Sequence, residues 1–213
     1  MSIEGMSSGP SEAKAVWDPL VRLFHWSLAA FFFLAYFLEN DWIALHVHAG
    51  YTVAMLVGFR VFWGFAGESH ARFADFLTSP ARSVRYLWLL LRGRAQAYPG
   101  HDPAGGMMIA VLLVSLLITA GSGMSLFAME GSGPLANTFV ATLRQEPVVS
   151  LHHFSADFTM ALVVVHIAGV LLASFSLREN LIAAMFTGRK VRGAEEADVA
   201  VRAGADQASA RQQ

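Results

Sequence analysis

The sequence predicts an all-α integral membrane protein, built as an up-down-up-down bundle of four helices. Three observations predict it. Hydrophobic residues fill 55% of the 213 positions and charged residues only 15%, where a soluble domain carries about 25% charged residues. Apolar side chains have taken the place of charge, and the mean hydropathy is positive. Four runs are long enough to cross a hydrocarbon core of about 30 Å, which takes roughly 20 mostly apolar helical residues. Arginine and lysine cluster on alternate connections, as expected of a chain that threads back and forth under the positive-inside bias. The composition also excludes. Without cysteine there is no disulfide framework, thiolate metal site, CxxCH haem attachment or iron–sulfur cluster. A net charge of −1 excludes nucleic acid as a partner, because a phosphate-binding surface needs a basic excess. Eight histidines remain to carry any metal chemistry.

The first span covers residues 19–38 (PLVRLFHWSLAAFFFLAYFL). A polar stretch precedes it and no small-residue cleavage pattern follows, which argues against a secretory signal. The acidic link Glu39-Asn40-Asp41 is so short that the second span, residues 42–65, must return beside the first. The next connection, residues 67–103, holds an apolar run at 86–91 between Arg82, Arg85, Arg92 and Arg94; too short to span, it reads as an interfacial helix. Asp102 then supplies an N-cap and Pro103 a first helical residue, opening the third span at 104–128. A loop at 130–147, rich in Gly, Ser and Thr, leads to the fourth span at 148–175. Beyond Arg192 no apolar period survives, the mark of a disordered tail. The expected organisation is a cytoplasmic segment 1–16, a transmembrane domain 17–190 and a cytoplasmic tail 191–213. Arg72, Arg82, Arg85, Arg92 and Arg94 lie on the second connection, and Arg178, Arg189, Lys190 and Arg192 follow the fourth span, whereas the opposite side carries only Arg144. Both termini are therefore expected in the cytoplasm, the spans in a bacterial inner (plasma) membrane.

His25, His46, His48, His152, His153 and His166 fall within or at the ends of these spans. Ionisable groups at membrane depth are costly and usually functional, although one alone could simply make an interhelical hydrogen bond. Spacing selects among them. His152 and His166 are 14 positions apart, nearly four whole turns, so they share a face at a separation of about 21 Å. Topology then pairs His25 with His166 near the cytoplasmic surface and His46 with His152 near the outer one. Two imidazoles facing across a gap suit axial ligation of a b-type haem, since the porphyrin fills the equatorial positions; zinc would need more protein ligands than a pair supplies. His46 rather than His48 is taken as the ligand, because it shares a face with Gly50 and Arg60 while His48 points about 200° away. Gly50 and Gly169 either admit the macrocycle or allow close helix packing. Arg22 and Arg60 either pair a haem propionate or snorkel to the surface.

The motifs Trp17-Asp18, Arg22-Leu-Phe-His25-Trp26, His46-x-x-x-Gly50-Tyr51, Arg60-x-x-Trp63-Gly64, Gly100-His101-Asp102-Pro103, His152 with His166-Ile-Ala-Gly169, and Thr187-Gly188-Arg189-Lys190 together resemble the bacterial di-haem cytochromes b of the b561 type. That group includes the cytochrome b subunits of nickel–iron hydrogenases, and the likeness runs over about residues 15–192. The resemblance implies a four-helix membrane bundle with two haem b groups and His25, His46, His152 and His166 as iron ligands. It also implies electron transfer between the quinone pool (ubiquinone or menaquinone) and a partner redox protein. That partner would be a cytochrome c or a dehydrogenase or hydrogenase subunit.

Bis-His haem has no open position for a substrate, so the expected role is an electron wire set in lipid rather than a catalytic pocket. The chain would act either as a quinone-linked oxidoreductase, alone or as a homodimer, or as the membrane anchor of a larger hydrogenase or dehydrogenase. His101 either exchanges protons with a quinone headgroup or orders the loop and contacts a propionate beside the Asp102 cap. Asp157 is taken as the hydrogen-bond partner of His153. In a competing class, the histidines form a path for divalent metal ions, which requires carboxylates beside them.

Overall fold

The computed structural model describes residues 19–39, 42–67, 72–95, 98, 102–177 and 180–188. The expected segments at 1–16 and 191–213 and the candidate residue His101 lie outside them. The described residues are helical, with no strand: α1 (Pro19–Phe37), α2 (Ile43–Ala66), α3 (Phe73–Phe76), α4 (Pro80–Leu91), α5 (Pro103–Met129), α6 (Gln145–Ser176) and α7 (Leu181–Thr187), with a 3-10 turn at Phe139–Thr142. Helices α1, α2, α5 and α6 are long and apolar enough to cross a membrane. Helix is the form such segments must take, because a lipid-facing backbone has to satisfy its own hydrogen bonds. Their outward faces carry large exposed apolar side chains such as Met55, Phe62, Phe154 and Val164.

The four spans match the expected ones to within a few residues. The largest difference is at α6, which starts at Gln145 rather than 148 and runs through Pro147. Proline is tolerated there because the first N–H groups of a helix have no intrahelical partner to lose. Asp102 caps α5 as expected, its carboxylate accepting from the amides of Ala104 (3.0 Å) and Gly105 (2.8 Å), with Pro103 next in line. The short arginine-flanked run is part of α4, which opens with Pro80 and buries Ser83, Tyr86 and Leu90 on one face. The Ser83 hydroxyl donates to the Pro103 carbonyl at 2.7 Å, tying α4 to the start of α5. Helices α3 and α7 were not expected from the sequence.

In the middle of the bundle Phe32 from α1, Val53 and Val57 from α2, and Leu113 and Leu116 from α5 form the core, with Met160 and Val163 of α6 packed against it. Helices α5 and α6 are further joined by the Ser115–Thr159 hydroxyl pair at 2.6 Å, both residues buried. Small hydroxyl residues suit such a contact, since they let helices approach closely and bond across the gap. This apolar midsection leaves two polar sites, one toward each end.

Candidate functional site: two facing histidine pairs

At the end where α2 and α6 begin, the rings of His46 and His152 face each other with centroids 6.1 Å apart and planes at 86°. Each is held from behind. Nδ1 of His46 lies 2.8 Å from the Ala35 carbonyl of α1, and Nδ1 of His152 lies 3.0 Å from the Thr119 carbonyl of α5. A carbonyl only accepts, so in both rings Nδ1 carries the proton and Nε2 keeps its lone pair. The Ser122 hydroxyl also lies 3.1 Å from His152 Nδ1. The cavity between the rings is lined by Gly50, Tyr51, Gly123 and Phe127 besides the two histidines.

At the opposite end His25 and His166 form the second pair, centroids 6.4 Å apart and planes at 55°. Trp26 presents an edge to His25 at 5.1 Å and stacks on Phe186 of α7 at 4.2 Å, so the unexpected helix α7 packs against this end. Nδ1 of His25 and Nε of Arg22, one turn earlier, are buried without a hydrogen-bond partner among the described residues. Arg60 is buried, its guanidinium 5.2 Å above the Phe73 ring. That placement corrects the snorkelling alternative for Arg60: the head lies inside the bundle rather than at its surface. It is possible because Gly64, one turn on, has no Cβ to collide with Phe73.

The other singled-out residues are also placed. His48 is exposed and bonds its own helix at the Ala44 carbonyl, 2.6 Å away. His153 is exposed, with its ring beside that of His152 at 6.1 Å. Asp157 does not serve His153 as expected; it accepts from the Tyr36 hydroxyl of α1 at 2.9 Å, because its position on α6 turns it toward α1. A Cβ built on Gly50 or Gly169 meets nothing within 4 Å, so close packing between helices of this chain does not account for either glycine. Among the described residues no group of three or more His, Cys, Asp or Glu side chains could hold a metal ion. The facing histidines form two pairs, His46 with His152 and His25 with His166.

Sequence reasoning missed Gly123. A Cβ there would sit 2.9 Å from Cε1 and 3.3 Å from Nδ1 of His152, so α5 gives up a side chain where the ring lies. Nothing in the local sequence marks it, since the partner is 29 residues away on another helix.

Residues 16–188 match the family described as Prokaryotic cytochrome b561. A protein of Azotobacter vinelandii named as a probable Ni/Fe-hydrogenase B-type cytochrome subunit is 30% identical over 161 residues, covering 67% of this chain and 65% of that one. The chain thus spans just under two thirds of that relative. Proteins with the same name from Rhizobium leguminosarum bv. viciae and Cupriavidus necator are each 24% identical, over 83% and 86% of this chain and 88% and 89% of their own. No solved structure matches the chain.

Proposed function

The chain belongs to the prokaryotic cytochrome b561 family, multi-pass membrane cytochromes that hold haem b and pass electrons, and we propose that it holds two haem b groups and links the quinone pool to a partner redox protein. His46 and His152 would hold one haem, His25 and His166 the other. One observation carries this reading: the ring separations of 6.1 and 6.4 Å. Metal–imidazole bonds are about 2 Å long, and the ring centre lies about 1 Å behind the bonding nitrogen, so two imidazoles sharing an axial metal need centroids about 6 Å apart. At the His46–His152 site the free Nε2 atoms supply the lone pairs that such a bond requires, and Gly50 leaves open space beside the gap.

Bis-imidazole haem supplies one-electron exchange with no open position for dioxygen or substrate. The chain's own part is to hold, orient and insulate. The carbonyls of Ala35 and Thr119 fix the ring tautomers, the apolar midsection keeps water from between the two sites, and Arg22 and Arg60 offer cations to the propionates at the His25–His166 end. We read that end as cytoplasmic, with both termini, in a bacterial inner membrane, because arginine-rich connections favour the cytoplasmic side. The partner we assign is a hydrogenase-type subunit at the opposite face, because the relatives are named as hydrogenase B-type cytochrome subunits.

A pyridine haemochrome count on the purified full-length chain, with a reduced-minus-oxidised spectrum, tests the reading. Two b haems per chain are expected. A colourless protein overturns the assignment, and a single haem that survives His166→Ala and His152→Ala alike overturns the ligand pairs. Co-purification with a nickel–iron subunit tests the partner separately.

A further inference from the structure

Helix α5 has no histidine, yet it shapes the surroundings of His152 more closely than any other element. Three of its residues, little more than one turn from first to last, act on one imidazole. The Thr119 carbonyl accepts from Nδ1 at 3.0 Å. The Ser122 hydroxyl lies 3.1 Å from the same nitrogen, and its own proton goes back to the Ile118 or Thr119 carbonyl at 2.8 and 2.9 Å. What Ser122 turns toward the ring is therefore an oxygen lone pair, which accepts the Nδ1 proton alongside Thr119. Gly123 completes the seat, because a Cβ there would press on Cε1 at 2.9 Å. The ring cannot yield to such a Cβ without giving up its bonds to α5 and its alignment with His46. Ser122 is itself buried, at 6% exposure, so water does not replace the bond if the hydroxyl is lost.

We propose that Ser122 and Gly123 are positioning residues for His152, which seat its ring and raise the electron-donating power of Nε2 toward the haem iron. The proposal rests on the two-haem reading above. A second acceptor on Nδ1–H draws the proton away and makes the imidazole more basic, which favours the ferric state and lowers the potential of that haem alone. Loss of a partner behind a ligating histidine typically weakens metal binding by about 10- to 100-fold. A merely structural serine, bonding only its own helix, would not move a potential.

The test is a redox titration and haem count on the full-length wild type and on Ser122→Ala, Gly123→Ala, His152→Ala and His166→Ala, all purified with haem supplied in excess during expression. The wild type is expected to show two one-electron components. In Ser122→Ala the component that His152→Ala removes moves to higher potential, and the component that His166→Ala removes stays in place. In Gly123→Ala the same component is lost or is retained about 10- to 100-fold more weakly. If Gly123→Ala does not accumulate in the membrane, Ser122→Ala decides alone. A wild type without haem overturns the two-haem reading and this one together. Two haems in the wild type, with both components unmoved in Ser122→Ala, overturn only the role given to α5.

Discussion

Adjacent histidines with the same chemistry are separated by what stands behind each ring. His152 has two oxygen acceptors on Nδ1 and an opposing ring on α2, while His153, the next residue, is exposed. Replacing His153 by Ala is therefore expected to leave both haems in place, as is His48→Ala, whereas His152→Ala and His46→Ala each remove the same one; haem counts on the four variants check this. Arg22 makes a finer case. Its Nε is buried one turn before His25 with no partner among the described residues, so the group is poised to meet an acceptor. A cation beside a haem favours the added electron. Arg22→Gln is expected to lower the midpoint of the His25–His166 component, by an energy on the order of 1 kcal/mol for a partly screened charge, and to leave the other unmoved in a redox titration. These side chains were legible in the sequence to different depths. The 14-residue interval put His152 and His166 on one face without reference to any other helix. Gly123 and the Tyr36–Asp157 bond were not legible, because each depends on which turn of a second helix lies opposite.

The spans could be read because lipid imposes one condition, a run of apolar helix of sufficient length, and this sequence states it four times. The elements that escaped notice, α3 and α7, are short and take their shape from tertiary contacts. Helix α7 is set by the Asn180 cap, whose side chain accepts from the Ala183 amide at 2.8 Å, by Gly188 with φ 78° at its end, and by the stack of Phe186 on Trp26. Between the spans themselves, adhesion cannot come from removing apolar surface from water, so packing and buried hydroxyl bonds matter more. The Ser115–Thr159 pair is the clearest of these bonds. Thr159→Val keeps the shape and deletes the hydroxyl; it is expected to destabilise the bundle by about 0.6 kcal/mol, and at most about 1.7. Unfolding in mixed micelles, followed by the haem absorbance, measures it. The double variant with Ser115→Ala should cost little more than Thr159→Val alone, because that change already removes the Ser115–Thr159 bond along with the bond from Thr159 to the Ser155 carbonyl of its own helix.

Across the molecule the two ends are chemically unequal, and that inequality would give the proposed two-haem wire a direction. At one end both rings, His46 and His152, donate from Nδ1 to oxygen acceptors on neighbouring helices, which would enrich the imidazoles and stabilise the ferric iron of the proposed haem. At the other end Nδ1 of His25 has no such partner, and Arg22 stands one turn away with Arg60 buried in the same part of the bundle, so positive charge there stabilises the reduced form. Both effects have the same sign. The His46–His152 haem is expected to be the lower in potential and the His25–His166 haem the higher, with electrons running downhill from the end that carries only Arg144 to the arginine-rich end. Reporter fusions after residue 213 and within the 130–144 loop fix which end is cytoplasmic, the first expected inside and the second outside. A titration of the wild type beside His152→Ala and His166→Ala then assigns the components. His152→Ala should delete the lower one and His166→Ala the upper one; the opposite pattern would mean that the hydrogen bonds behind the rings and the buried arginines do not set the order of potentials.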